Sequence, residues 1–534
     1  MATSNAARCT AKSGVLPRQG DPQMASEAPN AGGRRIQADA RTSLLSYLDD
    51  GRPLAIDESG RRVDRNEFDH LVGAIAELVY YAAATSQQPS RVAVCIPTSV
   101  AYLASVISVW KADGIGFTIG QDTTAAELER LLDKVQPSVL IHARGDARYA
   151  GHGIVVGEVD ALGRPIVVRH LDGTRKPLPL SPDDAWLAGT SGSTGESRHA
   201  VLTFTALEHN IRSTAELLQL GPADRVAVFT KSQFTYAMVQ MTSALAAGCD
   251  LAIWSHGVGT GKSLWRYLED VRATGISANP TAFSMLLRRV STRSQAPMRY
   301  VMTAGQALPH RLVGEIRQAF PQAVLINAYG CTENTNRIAW SAVSSSQVSP
   351  DQPIPVGRTI PGVEIVIGDR PPHTGEVGVS GSSLMRGYLD DLRTPDDRIA
   401  RLWTGDLGFV NKAGELVLTG RVKTVINVAN EPVSPEEVER LALTVDDVSE
   451  CAVGGVEHDL LGEVPYALLS LKPPGGDSEQ VVARVQNLWK TALSPTKRPL
   501  QVRVVADSEI PRTQYGKIDR RRLKELLNER SEGM

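Results

Sequence analysis

The stretch from Thr190 to Arg198 reads Thr-Ser-Gly-Ser-Thr-Gly-Glu-Ser-Arg and follows directly on the strand-like run Ala185 to Ala188. Glycines among hydroxyl side chains let backbone N–H groups and hydroxyls converge on phosphate oxygens, with the charge of Arg198 close by. Taken alone, such a run is more often a flexible loop than a phosphate site. Other short stretches also carry groups able to do chemistry: Tyr329-Gly330-Cys331-Thr332-Glu333, Trp403-Thr404-Gly405-Asp406-Leu407-Gly408, and Pro511 to Arg520 with Lys517 inside it. In isolation the first is a strand-end turn with a solvated glutamate and the second an ordinary turn. A solvated basic tail helix is the bland reading from Arg520 to Lys524.

The elements that must position these groups follow from hydrophobic period. Arg91 to Ile96 reads as a strand and Thr98 to Lys111 as a helix, and Thr124 with Glu127 makes a capping-box signature before Leu128, Leu131 and Leu132. Strand character returns at Pro137 to Ile141, Val226 to Phe229, Leu251 to Trp254, Tyr300 to Thr303 and Val324 to Asn327. Helical patterns lie between, at Tyr236 to Ala247, Ser263 to Ala273 and His310 to Ala319. This is the sequence form of βαβ units, with sheets covered by helices. A Ser- and Pro-rich stretch from Ser341 to Val356 interrupts the alternation, and short strands with glycine turns follow. Near Lys423 a different α/β unit begins, with Ser434, Pro435 and Glu437 as N-cap, N1 and N3 of a helix. The expected organisation is an α/β chain with a tail (1–35), a large N-terminal domain (36–421) and a smaller α+β C-terminal domain (422–534).

The chain has 534 residues, 42% of them hydrophobic and 22% charged, with a formal charge of −2. That suits a sizeable core and offers no basic field to hold a nucleic acid. Cys9, Cys95, Cys249, Cys331 and Cys451 show no metal-ligand or disulfide spacing, so a reducing, cytoplasmic compartment is expected. Apolar runs stop short of a membrane span. The tail has no hydrophobic signal core, and Met24 is an alternative start. Gly257 to Ser263 resembles a Walker loop superficially, but His256 stands where its first glycine is required.

The order of the chemical stretches resembles the adenylate-forming superfamily of acyl- and aryl-CoA synthetases, peptide-synthetase adenylation domains and luciferases. Thr190, Ser191, Gly192, Ser193, Thr194 and Gly195 match its phosphate loop, T-S-G-S/T-T-G-x-P-K-G, whereas Ser197, Arg198 and His199 replace Pro, Lys and Gly. The resemblance implies that Tyr329 stacks on adenine, Thr332 contacts phosphate and Glu333 helps hold Mg²⁺. It implies that Asp406 accepts from the ribose hydroxyls, Arg421 touches the nucleotide and Lys423 is the pivot of a mobile lid. Pro511 to Arg520 matches P-x-T-x-x-G-K-x-x-R at every fixed position, making Lys517 the cation between substrate carboxylate and α-phosphate.

By the same resemblance, Phe234, Thr235, Tyr236, Gln240, Asn279, Gly305 and Cys331 surround the acyl group of a small carboxylic acid. Thr235 stands where amino-acid-activating relatives commonly carry an aspartate, so an acid lacking an α-amino group is expected, because an unpaired buried ammonium is costly. The polarity around this pocket hints at a short or oxygenated acid. Coenzyme A or the phosphopantetheine arm of an acyl or peptidyl carrier protein is the expected acceptor, with an amine left open. Ala429 and Asn430 lie where the family usually carries a glycine beside the thiol tunnel. A nucleotide-binding relative that has lost chemistry is the competing reading.

Overall fold

The β-branched runs become strands of two large sheets, and the helices between them bury their apolar faces on those sheets. The computed structural model describes residues 40–531 apart from 50–54, 58, 84–88, 172–177, 191–197, 259–260, 289–292, 345–351, 369–374, 429–430, 459–460, 473–476 and 514–516. The expected tail, the loop residues Ser191 to Gly195, and Ala429 and Asn430 therefore lie outside the described residues.

One sheet has eight strands, in the order Gly387–Tyr388, Arg198–Thr203, Asp184–Thr190, Ile115–Thr118, Arg91–Cys95, Val139–Ala143, Arg164–His170 and Ile154–Ala161. The second has nine: Arg358–Thr359, Asn336–Ala342, Val324–Cys331, Tyr300–Ala304, Gly275–Ala278, Arg225–Val228, Asp250–Ile253, Ala55–Ile56 and Arg62–Val63. Its central neighbours run parallel. One continuous core draws side chains from both sheets and from the helices Val100–Lys111, Phe204–Leu217 and Thr235–Ala246. Between two sheets a helix has no solvent face, and accordingly every residue from Val100 through Trp110 is buried. A second core lies on the other face of the nine-stranded sheet, under the helices Lys262–Asp270, Pro280–Leu287 and His310–Ala319.

The short strands and glycine turns form a third, antiparallel sheet: Val363–Ile367, Gly375–Gly381, Leu402–Val410 and Leu416–Arg421. A short 3-10 turn, Val422–Thr424, leads from it into a five-stranded sheet with its own core, covered by Pro435–Ala442, Ser478–Ala492 and Arg520–Ser531. The molecule is thus a mixed α/β protein with a large N-terminal and a small C-terminal domain. Among the described residues no helix is long and apolar enough to cross a membrane.

Most expected elements fall within a few residues of their predicted bounds, and the Thr124–Glu127 capping box forms with both reciprocal bonds. One local expectation holds in position but not in bonding, and one is corrected. Ser434 starts the helix Pro435–Ala442 but makes no side-chain cap; its hydroxyl donates instead to Thr419 O at 2.8 Å, on the strand before the inter-domain turn. Glu437 turns away to Lys497 at 2.8 Å. Two acceptors, Thr419 O and the Glu436 carboxylate at 2.8 Å, orient the Ser434 hydroxyl away from the helix amides. The strand predicted to stop at Asn327 also continues to Cys331, because Asn336–Ala342 folds back as an antiparallel partner and supplies its ladder bonds.

Candidate active site

Parallel strands deliver their C-terminal ends to one edge of the nine-stranded sheet, where ligand sites of open α/β sheets form. Asn279 follows Gly275–Ala278, Gly305 follows Tyr300–Ala304, and Thr332 and Glu333 follow Val324–Cys331. The ladder between Val324–Cys331 and Asn336–Ala342 shifts register between Tyr329 and Gly330. A Cβ on Gly330 would lie 1.5 Å from Asn336 O, so only glycine permits that approach. Thr335 then takes a left-handed conformation at φ 55°, held by its hydroxyl donating to Ser383 O at 2.7 Å. For a β-branched residue this is a strained position, of the kind that collects at functional sites.

Tyr329 is buried and donates from its hydroxyl to Asp406 Oδ2 at 2.7 Å. The other carboxylate oxygen meets Arg421 Nε at 2.8 Å, and the two residues are register partners on neighbouring antiparallel strands. Burial pushes the Asp406 carboxyl above the usual carboxylate range against the opposing pull of Arg421, the Tyr329 hydroxyl and Lys517. Burial, reinforced by Asp406, also raises the Tyr329 hydroxyl.

Lys517 comes from the C-terminal domain on a hairpin closed by Thr513 N donating to Lys517 O at 2.8 Å and by an Arg512–Ile518 bridge. Both feet of the hairpin are anchored. Arg512 pairs with Glu450 at 2.8 Å, and Arg520 donates to Glu439 and to Val453 O. Arg520, read from sequence as part of a solvated basic helix, is thus a buttress of this hairpin, because Glu439 is buried and needs a cation. Lys517 keeps an exposed face, yet desolvation and then Arg421 hold its ammonium below the usual lysine range, with Asp406 opposing. The C-terminal domain therefore places its cation in the same electrostatic neighbourhood as Asp406 and Arg421. Lys423 sits exposed in the turn joining the domains.

Glu333 Oε1 accepts from the Tyr388 hydroxyl at 2.8 Å, and Glu333 O accepts from Met385 N at 2.8 Å. The Arg198 guanidinium lies 3.5 Å above the centre of the Tyr388 ring and is ion-paired with Asp391. The charge expected near the phosphates is thus partly neutralised and stacked. Thr190 and Arg198 are register partners at the two ends of the Ser191 to Ser197 segment, and Thr190 Oγ1 donates to Arg198 O at 3.2 Å. The described residues on either side of that segment belong to antiparallel neighbouring strands.

Around the expected acyl pocket, Phe234 is the N-cap residue of Thr235–Ala246, and Tyr236 and Gln240 lie one turn apart on that helix. Gln240 donates to Ala227 O at 3.2 Å, whereas its Oε1 and the Tyr236 hydroxyl are buried without hydrogen-bond partners. Asn279 is committed to capping Pro280–Leu287, accepting from Ala282 N at 2.7 Å. Gly305 takes φ +80°, which glycine adopts freely. Burial, then Glu333, raises the Cys331 thiol. Sequence reasoning missed Tyr388, which sits in a short edge strand with no hydrophobic period. It also missed Arg337, whose one signal is a charge leading the apolar run Ile338-Ala339-Trp340.

A family model described as AMP-binding enzyme matches residues 49–389, and one described as AMP-binding enzyme C-terminal domain matches residues 437–517. An oxalate–CoA ligase of Arabidopsis thaliana is 24% identical over 455 residues, covering 80% of this chain and 87% of that protein. The solved structure of ATP-bound MatB from Rhodopseudomonas palustris superposes with a TM-score of 0.74 at 22% identity, over 91% of this chain and 98% of that one. The amide bond synthetase McbA of Marinactinospora thermotolerans gives a TM-score of 0.75 at 21% identity, over 91% and 100%. The family match spans more than half of the sequence, and the superpositions show the shared fold, so the chain belongs to the AMP-binding enzyme family, within the adenylate-forming superfamily.

Proposed function

We propose that this protein uses ATP to convert a carboxylic acid into an acyl-adenylate and then transfers the acyl group to a thiol. The observation that carries the reading is the convergence of Tyr329, Asp406 and Arg421 with Lys517 of the C-terminal domain, beside Glu333. The Tyr329 face and the Asp406 carboxylate suit a nucleoside, and the segment after Thr190 suits its phosphates. A carboxylate oxygen of the acid attacks the α-phosphorus, the bond to pyrophosphate breaks, and Lys517 stabilises the charge gathered between the reacting groups. Glu333 and Thr332 are hard oxygen donors that fit Mg²⁺; when bound, the ion neutralises the triphosphate.

In the second step the thiol sulfur attacks the acyl carbon and AMP leaves. We assign the catalytic core to 36–421 and the lid to 422–534, with rotation about Lys423 withdrawing Lys517 between the steps. The hydrogen bond from Ser434 to Thr419 O spans that junction and must adjust in the turn. The relatives named as CoA ligases and the free thiols of Cys95, Cys249, Cys331 and Cys451 support a coenzyme A or carrier-protein acceptor and a reducing, cytoplasmic setting.

Exchange of pyrophosphate into ATP, across a panel of acids, tests the first step. Acid-dependent exchange lost in Lys517→Ala is the expected result, and no exchange with any acid despite ATP binding would overturn the reading. Adding coenzyme A, a carrier protein or an amine to the active acid then identifies the acceptor through AMP release.

A further inference from the structure

Arg337 is one of the largest fully buried side chains and is 2% exposed. The comparably buried Arg386 is paired with Asp184 at 2.9 Å. Arg337 has no such partner among the described residues. Its Nη1 donates to Thr214 Oγ1 at 2.9 Å, its Nη2 lies 3.7 Å from the Met302 thioether, and beside its Nε stands the neutral Tyr236 hydroxyl, with no well-formed hydrogen bond between them. A buried cation without an anion is costly, and a fold retains it readily only when something is gained.

The surroundings show what that is. The guanidinium carbon lies 5.4 Å from the centre of the Tyr236 ring, whose hydroxyl end is buried while the residue as a whole keeps solvent access. Tyr236 therefore reaches from the mouth of the acyl region down to Arg337. Tyr236, Gln240 and Ser243 share one helix face by their spacing, and each has a buried oxygen without a hydrogen-bond partner. Ser277, another such residue, is the register partner of Met302, the residue at Nη2. The backbone of Arg337 is pinned by Asn210 and Asn334, which both donate to its carbonyl, so the guanidinium is held in place from behind.

We infer that the acid pocket ends at Arg337, and that the substrate is a dicarboxylic acid whose second carboxylate is bound side-on by the Nε and Nη2 edge of this guanidinium. The inference rests on the adenylation reading for the location of the pocket. Nε and Nη2 form the planar fork that matches the two oxygens of a carboxylate, and it is this edge that lacks a strong acceptor. The flexible Met302 side chain fills the place the carboxylate takes and can move aside. The same cation repels an α-ammonium, in keeping with Thr235 at the mouth of the pocket.

The test is calorimetric titration of unbranched diacids and their monocarboxylic counterparts of equal length, alongside pyrophosphate exchange with each acid. Wild type, Arg337→Met and Arg337→Lys are compared. A diacid is expected to bind wild type and support exchange, to weaken about 100-fold in Arg337→Met and to recover in part in Arg337→Lys. The matched monoacid binds wild type weakly and is unchanged in Arg337→Met. Monoacids binding wild type as well as their diacid counterparts, an equal loss of both in Arg337→Met, or no binding of any diacid would each overturn the inference. The comparison within wild type needs no variant to fold. Exchange with monoacids alone would keep the adenylation reading and discard the diacid; Arg337-dependent diacid binding without exchange would do the reverse.

Discussion

Tyr329 and Asp406, 77 positions apart in the chain, share a 2.7 Å hydrogen bond that sets the direction of the Asp406 carboxylate. Arg421 holds the other oxygen. Tyr329→Phe keeps the ring and removes this donor, so the KM for ATP in pyrophosphate exchange is expected to rise about 10-fold with kcat little changed. An unaltered KM would show that Arg421 alone orients the carboxylate.

Lys517 is the group that the proposed first step needs and the second does not. Lys517→Ala is expected to lower exchange by about 100- to 1000-fold, the scale of losing one positioned electrostatic donor. Thioester formation from a supplied acyl-adenylate should fall by less than about 10-fold. Equal losses in both assays would mean that Lys517 holds the domains together rather than serving adenylation.

Arg386 is buried and ties the Tyr388 edge strand to Asp184 and to the carbonyls of Pro395 and Thr394. Arg386→Met strands the Asp184 carboxylate and is expected to cost about 3–5 kcal/mol in urea unfolding. Adding Asp184→Asn should restore part of the loss. Because Tyr388 is two residues away and holds Glu333, exchange activity should fall in the single variant even below its unfolding transition.

His199, 2% exposed, carries an imidazole pushed down from 6.5 to about 4 by burial first and then by Lys134. The folded state excludes the proton that the unfolded chain accepts. The contribution of His199 to stability is therefore complete above pH 6.5 and is lost as pH drops toward about 4, by about 1.4 kcal/mol per pH unit. Chemical denaturation of wild type and His199→Phe across that window checks this. The variant should have a shallower acid slope than wild type, and a slope unchanged by the substitution would assign it to other groups.

The helices and parallel strands were legible because their signals are local. The Thr124–Glu127 box needs only its own turn, and the apolar run at Val100 to Trp110 announces a helix without a solvent face. Less legible were positions where a distant acceptor decided. Ser434 has the sequence of a cap, but the Thr419 carbonyl takes its hydroxyl. Asn279, expected to line the acyl pocket, also caps the helix that starts beside it, a bond its sequence position did not single out.

Hydrophobic period and the ordered chemical stretches determined, from sequence alone, the α/β class, the large and small domains and the residues from Thr190 to Lys517 that carry the resemblance. Only the tertiary structure decided that Arg421 and Asp406 would be cross-strand partners, that Arg198 would be stacked on Tyr388, and that Arg337 would be buried without an anion. Period reports which face of an element is apolar. It does not report strand order or register, and those fix which side chains from distant parts of the chain come within hydrogen-bonding reach.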